Sequence, residues 1–194
     1  MSAFNITVVR RNIARERGFS LVEVSIVTAI MLLLAIISIP AIGGYIIENK
    51  VPKVGEELAR FIVQSKVNAL NGSTTPYLDM DTGRFASFVR GSSVFSVSGS
   101  ESSARVLHGM GSNGEVTIEP AQSGEAFAIT LTRVNNAACP SIASVMQRVS
   151  ESITISAGSE AATVVKDATT PYSALSAESH CAQGDVNTFV FVAS

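Results

Sequence analysis

The chain has 194 residues and a formal net charge of −2, so its length suits one domain with appended segments. The charge is uneven: residues 1–18 carry four arginines and one glutamate, a net of +3, and the remaining ten basic and fifteen acidic residues give −5. A basic N-terminal segment thus precedes a mildly acidic remainder, and no later basic patch is interleaved with aromatic residues. This charge distribution argues against a nucleic-acid-binding domain.

An uncharged stretch of 24 residues lies between Glu23 and Glu48 and explains much of the mean hydropathy of +0.34. As a helix rising ~1.5 Å per residue it would span about 36 Å, enough to cross a bilayer core of about 30 Å. The arginines before it place the N-terminus in the cytoplasm and the rest of the chain outside. A cleaved secretory signal ending near Ala41 is the alternative, although its apolar region would usually span only ~7–15 residues.

The junction between the basic leader and the uncharged stretch has the sequence Gly18-Phe19-Ser20-Leu21-Val22-Glu23. A lone carboxylate in lipid costs ~2.5 kcal/mol or more at mid-bilayer, so such a residue usually has a partner. Glu23 lies near the interface, where the cost is smaller and a snorkelling charge is the alternative interpretation. Position alone leaves both interpretations of Glu23 open.

This junction, with basic residues before it and an uncharged stretch after it, resembles the cleavage region of type IV pilins and the related pseudopilins. In that pattern a glycine precedes a mature N-terminal phenylalanine, and a glutamate stands fifth; Gly18, Phe19 and Glu23 occupy those places. The resemblance implies that a prepilin peptidase cleaves after Gly18 and that Phe19 is N-methylated. It also implies that Glu23 pairs with the amine of a neighbouring Phe19 during assembly. Such a pair would specify axial register, because a shifted subunit leaves both charges uncompensated.

The helical pattern continues beyond the uncharged stretch to about Leu70, where Asn71-Gly72-Ser73 predicts its end. The predicted buried stripe consists of Val51, Val54, Leu58, Phe61, Ile62 and Ser65. Residues that weaken or bend a helix interrupt the pattern at Pro40, Gly43, Gly44, Pro52 and Gly55. The resemblance ties Pro40 to a segment that kinks or unwinds on assembly, and an ordinary kink at the membrane exit is the other interpretation.

From Ser73 onward, serine, threonine, glycine and short β-branched runs replace the helical pattern. Residues 92–103 contain seven serines and predict a mobile surface loop. The predicted strands are Phe85–Val89, Val116–Ile118, Phe127–Arg133, Ile153–Ser156 and Thr188–Ala193. A further helix is predicted between Asn136 and Val149. These elements predict an α+β fold class, with an N-terminal helix and a sheet-rich C-terminal half. The resemblance implies that the long helix packs on an antiparallel β-sheet with its apolar half protruding.

Short motifs in this region are interpreted as turns. The run from Gly109 to Gly114 matches G-x-G-x-x-G, but a short strand follows it where dinucleotide binding needs a helix. Asp81-Thr82-Gly83 matches the aspartic-protease triplet without a second copy. Asp79 and Asp81 suggest a calcium loop, yet its twelfth position is Arg90. With no nucleophile elbow or catalytic triad signature, the chain is not expected to be an enzyme.

Cys139 and Cys181 are the only cysteines, and both lie in the part predicted to be outside the cytoplasm, which favours a disulfide. A loop of this length contributes roughly 4 kcal/mol in the chain-entropy model. A zinc site would have to use His180 and the distant His108 without C-x-x-C spacing, so neither a metal nor another cofactor is expected. The resemblance implies the type IV pilin fold with a C-terminal disulfide-bounded region.

The hypothesis that follows from the resemblance is a structural protein, the major pilin of a type IVb-like pilus. Residues 1–18 would be removed, residues 19–47 would cross the membrane and then form the filament core, and residues 48–194 would be the extracytoplasmic head. The passage from residue 128 to Cys139 and the leader length resemble type IVb pilins such as bundle-forming and conjugative thin-pilus pilins. An N-terminal phenylalanine is commoner in type IVa.

The expected partners are further copies in a helical filament, the prepilin peptidase, the pilus assembly machinery, and a host or recipient cell surface. The precursor would lie in the inner membrane and the product in an extracellular pilus on the bacterial surface, used for cell attachment or conjugation. The alternatives are a minor pilin or a type II secretion pseudopilin, and a secreted binding protein with a cleaved signal.

Overall fold

The computed structural model describes residues 18–69, 72–100 and 103–194, so the first seventeen residues of the expected leader lie outside the described part. The chain divides into two compact units, one ending at Pro40 and one comprising Ala41–Ser194. The helices are α1 (Leu21–Val67), α2 (Thr82–Val89), α3 (Cys139–Met146) and α4 (Ala174–Ser179). The strands are β1 (Ser96–Ser98), β2 (Arg105–Leu107), β3 (Glu115–Ala121), β4 (Ala126–Asn135), β5 (Ser152–Ala157), β6 (Thr163–Lys166) and β7 (Asp185–Ala193).

Helix α1 carries the predicted buried stripe and ends at Val67, close to the predicted stop. All six stripe residues are buried, and the most exposed of them, Ser65, is 8% exposed. The helix is unbroken across Pro52 and Gly55, so the predicted interruption is not found there. Gly55 serves close packing instead, because a β-carbon at this position would press against the side chain of Val145 in α3. The glycine therefore lets α1 and α3 approach each other.

The seven strands form one antiparallel sheet in the order β1-β2-β3-β4-β7-β5-β6. Strand β7 lies inside the sheet, where Phe189 pairs with Leu131 of β4 on one side and with Ile155 of β5 on the other. Phe61 of α1 meets Phe127 of β4 edge to face, with ring centroids 6.1 Å apart. Helix and sheet of the second unit thus share one hydrophobic core.

Four of the five predicted strands and the predicted helix α3 are confirmed, but the prediction of a strand at Phe85–Val89 is wrong. This segment is helix α2. Asp81, which was interpreted as part of a turn, is its N-cap and accepts a hydrogen bond of 2.8 Å from the backbone N–H of Arg84. Phe85 and Val89 are both fully buried, and their spacing of four places them on one face of a helix.

The serine-rich segment from residue 92 contains a short strand that was not predicted. It contains β1, in which Val97 pairs with Val106 of β2. Phe95, 6% exposed, packs edge to face on Phe85 of α2 with ring centroids 5.3 Å apart. Ser96 and Ser98 are exposed on either side of Val97, so these two serines lie on the exposed face of an edge strand within the segment predicted as a loop.

Candidate functional site

The segment before α1 contains the predicted cleavage motif. Gly18, Phe19 and Ser20 have no regular secondary structure, and the Phe19 side chain is 86% exposed. The Glu23 carboxylate accepts a hydrogen bond of 2.9 Å from the Ser20 backbone N–H, and the Ser20 hydroxyl accepts one of 3.3 Å from Val22 N–H. This reciprocal arrangement is a capping box. The S-x-x-E spacing of Ser20 and Glu23 signals this capping box in the sequence, although the cleavage motif alone assigns no role to Ser20.

The uncharged part of α1 is exposed throughout its described side chains before residue 39. An 18-residue window of α1 has a mean hydropathy of 2.6 with none of it buried, so α1 meets the length and composition required of a membrane-crossing helix. Pro40 lies within the helical backbone of α1. Burying so continuous an apolar surface requires lipid or other helices around it.

The disulfide between Cys139 and Cys181 is present in the structure, with Cα atoms 6.1 Å apart and a sequence separation of 42. Cys139 is fully buried as the first residue of α3. Cys181 follows α4 and is half-buried. The bridge ties the short helix α4 to the core through α3, as expected for a C-terminal disulfide-bounded region.

Asn187, at the start of β7, holds the chain that follows the disulfide. This residue is fully buried. Its amide group donates to the carbonyl oxygens of Val134 (3.0 Å) and Ala182 (2.9 Å), and its oxygen accepts from the Ala182 N–H (2.8 Å). The side chain therefore replaces the ladder bonds that the bulge in β4 leaves unmade. No local sequence signal identified Asn187.

The G-x-G-x-x-G segment is a tight loop between β2 and β3, as predicted. His108 is fully buried at the start of this loop. The Nδ1 atom of His108 accepts a hydrogen bond of 3.0 Å from the Met110 N–H. The other ring nitrogen, Nε2, therefore carries the proton and donates to the carbonyl oxygen of Thr132 at 2.9 Å. Lys50 of α1 donates to the Gly109 carbonyl at 2.9 Å. The carboxylate of Asp185 accepts from Ser112 N–H at 2.7 Å. Three elements thus hold this loop in place.

Gly111 is the most confined glycine of this loop, and we expect Gly111→Ala to lower the free energy of unfolding by about 3 kcal/mol, the upper end for overpacking. A β-carbon there would overlap the backbone carbonyl oxygen of Arg133, which cannot rotate away. The loop cannot retreat either, because the Met110 carbonyl accepts from Asn135 N–H at 2.9 Å. Denaturant unfolding of the full chain in detergent micelles measures the change. Gly91→Ala, where a β-carbon meets nothing within 4 Å, is the control, and equal stability of the two variants would contradict the packing argument.

His108 makes the stability depend on pH. Burial holds the pKa of His108 below its ordinary value of 6.5, although the hydrogen bond to Thr132 and the charge of Asp185 act in the opposite direction. The unfolded chain therefore takes up a proton at a higher pH than the folded chain. We expect the free energy of unfolding to be at its plateau above pH 6.5 and to fall below it, by at most about 1.4 kcal/mol per pH unit.

The two histidines of the chain provide the control for this pH dependence. His108→Gln should flatten the decline between pH 6.5 and 5, while His180→Gln should leave it unchanged. Asp185 does not contribute to the change between pH 6.5 and 5, because the hydrogen bonds from Ser112 and Asn135 hold the pKa of its carboxyl below the ordinary 3.8. Its contribution is lost only as the pH falls below that value. A decline that survives in His108→Gln would show that another group titrates.

Among the described residues no group of three or more His, Cys, Asp or Glu side chains is placed to hold a metal ion. Asp81 is engaged as the cap of α2, and Asp79 lies two residues before it on an exposed segment. The site features of the chain are therefore the N-terminal motif, the apolar surface of α1 and the disulfide-bounded surface.

Comparison with known proteins adds two findings. A protein-family model described as PilS N terminal matches residues 108–194, the part that contains β3 to β7 and the disulfide. The crystal structure of the type IV b pilin from Salmonella typhi is similar to this chain with a TM-score of 0.50 and 20% sequence identity. The likeness covers 72% of this chain and 94% of that one, and at this identity it shows a shared fold. A search of curated protein sequences found no match.

Proposed function

We propose that this chain is the major subunit of a type IVb-like pilus used for cell attachment or conjugation, a proposal that its fold and the family match of residues 108–194 support. Its part is structural: copies self-assemble through the N-terminal helix. The observation that carries the proposal is a disulfide-bonded pilin head on a chain whose N-terminal helix bears an uncharged, exposed stretch. A surface of that kind is suited first to lipid and then to a bundle of identical helices.

The precursor is processed at the boundary between Gly18 and Phe19. A prepilin peptidase removes residues 1–18, and Phe19 is then N-methylated. The irregular backbone at this boundary and the exposure of Phe19 support the proposal, because a peptidase needs an extended, accessible segment. The apolar part of α1 holds the precursor in the inner membrane, and the basic leader keeps its N-terminus in the cytoplasm.

Assembly transfers residues 19–47 from the membrane into the filament core, while residues 48–194 coat the outside. The pilus assembly machinery drives the transfer, and Glu23 pairs with the new amine of Phe19 in a neighbouring subunit. In its own chain the carboxylate of Glu23 accepts a hydrogen bond from the N–H of Ser20, the residue that follows Phe19. Pro40, inside α1, is the position at which we propose that the helix unwinds during the transfer.

The decisive experiment is an intact mass with N-terminal peptide sequencing of filaments sheared from the cell surface. We expect a dominant species that starts at methylated Phe19 and is two hydrogens lighter than the reduced chain. A start beyond Ala41 would overturn the proposal in favour of a secreted protein with a cleaved signal. A correctly processed chain present only in traces would overturn the assignment as the major subunit and indicate a minor pilin or pseudopilin.

A further inference from the structure

The sheet of the second unit has two faces, and one of them packs into the hydrophobic core. Phe189 and Phe191 of β7 and Ile153 and Ile155 of β5 point into this core and are at most 1% exposed. The residues between them point to the opposite face, because side chains alternate along a strand, and there Val190 is half-buried. This outward face has no part in the core or in assembly through the N-terminal helix.

The register of the strands arranges the outward side chains in rows. Val190 of β7 pairs with Thr130 of β4 on one side and with Thr154 of β5 on the other. Thr154 pairs in turn with Val164 of β6, which is 47% exposed. The rows on either side of this central row consist of Ala128, Val192 and Ser152, and of Thr188 and Ser156. We call these three rows the uncharged face.

The charges of these four strands and of their neighbour lie outside the uncharged face. Lys166 of β6 donates to the carbonyl oxygens of two residues that follow α3. Arg133 lies in the bulge of β4, and Asp185 is the first residue of β7. Glu119 of β3 lies beside the outermost row. Charged residues ordinarily make up roughly 25–35% of a solvated surface, so an open patch without any of them needs a reason.

The chemistry of the uncharged face fits a second copy of the same face. A two-fold axis along β7 sets Val190 of one copy against Val190 of the other, and Thr130 against Thr154. Hydroxyl groups donate and accept, so they complement hydroxyl groups on an identical surface, whereas a charged patch would meet its own sign. Residues 19–194 carry a net charge of −5, which disfavours the approach of two copies through the rest of their surface.

The area of the uncharged face decides how strong such a contact is. Four strands spaced about 4.8 Å apart, with three outward positions about 6.8 Å apart, give roughly 400 Å² per copy. A stable interface needs about 800 Å² per partner, so one contact does not hold two free chains together. Many contacts in parallel do, because each further contact between two linked arrays forms at a high effective concentration.

We propose that the uncharged face binds the same face of a second copy on another filament. The heads coat the outside of the proposed filament, so many copies of this weak contact join two filaments side by side. A two-fold contact cannot build the filament itself, because subunits of a helical filament meet through two different surfaces. The inference rests on the proposed function for the display of many heads, and it names another copy of the head as a partner in attachment.

Vesicles that carry the full chain test the contact without any filament. The processed chain is inserted into phosphatidylcholine vesicles, so that many heads are displayed on each, and clustering is followed by turbidity. We expect the unaltered chain to raise the turbidity about tenfold or more over vesicles without protein. Salt at about 1 M should not disperse these clusters, because the contact contains no charge pair.

Val190→Lys and Val190→Glu should each abolish the clustering, because the two-fold axis sets like charges against each other. A mixture of vesicles that carry Val190→Lys with vesicles that carry Val190→Glu should cluster again, and about 1 M salt should disperse this mixture. Thr154→Lys is a second, independent disruption on the neighbouring strand and should also abolish clustering. The unfolding midpoint of each variant, measured in the same vesicles, shows that the head is folded.

Leu175→Lys is the matched control, because Leu175 is 77% exposed on α4 and does not belong to the uncharged face. It should cluster as the unaltered chain does, and an equal loss in this variant would reduce the effect to added charge and overturn the proposal. Unaltered vesicles that stay single would overturn it too. So would clustering that survives in both Val190→Lys and Thr154→Lys, or a mixture of opposite charges that stays dispersed. Each of these results leaves the filament proposal standing, because that proposal is tested by the mass of sheared material.

Discussion

Glu23→Gln should reduce the yield of surface filaments at least 100-fold while the head remains folded and disulfide-bonded. Removing one member of a buried ion pair costs about 3–5 kcal/mol, and a subunit lattice repeats that loss at every contact. Glutamine retains the other property of Glu23, because the capping box with Ser20 accepts either a carboxylate or an amide. The variant therefore separates charge pairing between subunits from capping of the helix within one subunit. Filaments are counted by electron microscopy and by the amount of sheared protein.

The complementary variant is Ser20→Ala, which removes the hydroxyl half of the capping box and keeps the charge of Glu23. We expect it to form filaments near the normal yield, with a small loss of helix stability of ~1 kcal/mol. Intact mass must show that both variants are cleaved after Gly18, so that a processing defect is separated from an assembly defect. Normal filaments from Glu23→Gln would contradict the pairing of Glu23 with the amine of Phe19.

Replacing both cysteines by alanine should lower the free energy of unfolding by about 4 kcal/mol, given the 42-residue separation of Cys139 and Cys181. Alanine avoids placing an unpaired hydroxyl at position 139, which is fully buried. The loss of stability should be concentrated in α4. This helix has six residues, and its end is held to α3 by the bridge, so its amide protons should exchange much faster in the variant. Denaturant unfolding and hydrogen exchange measure the two effects.

Reduction of the unaltered chain by a thiol provides the control, since it should reproduce the stability loss without any change of side chain. The strands β3 and β4 should keep their protection in both cases, because their pairing does not involve the bridge. A loss below about 1 kcal/mol, or equal deprotection of α4 and β4, would contradict the role assigned to the disulfide.

The elements that the sequence predicts are those whose burial is periodic. The stripe from Val51 to Ser65 repeats every three or four residues, and all of its predicted members are buried. In β5, Ile153 and Ile155 alternate with polar residues, and the strand is confirmed. The disulfide was predictable for a different reason: with only Cys139 and Cys181 present, a single intramolecular pairing exists.

The features that the sequence did not predict depend on contacts between distant segments. Phe85–Val89 was predicted as a strand because its residues favour strands, but the cap at Asp81 and the burial of one helical face decide its structure. His108 and Asn187 have ordinary neighbours in sequence. Their partners, Thr132 and Val134, lie 24 and 53 residues away, so only the folded topology reveals what they do.

The place of β7 within the sheet has a consequence for the timing of export. In the proposed export of the precursor across the membrane, β1 to β4 and then β5 and β6 would cross before β7, and in the sheet β7 lies between β4 and β5. Until Asp185–Ala193 arrives, the head consists of two partial sheets with open edges, which are prone to pair with other chains. We therefore expect the sheet to close only after the proposed translocation is complete. We therefore expect a chain that ends before Asp185 to lack a closed sheet and to be excluded from the proposed filament.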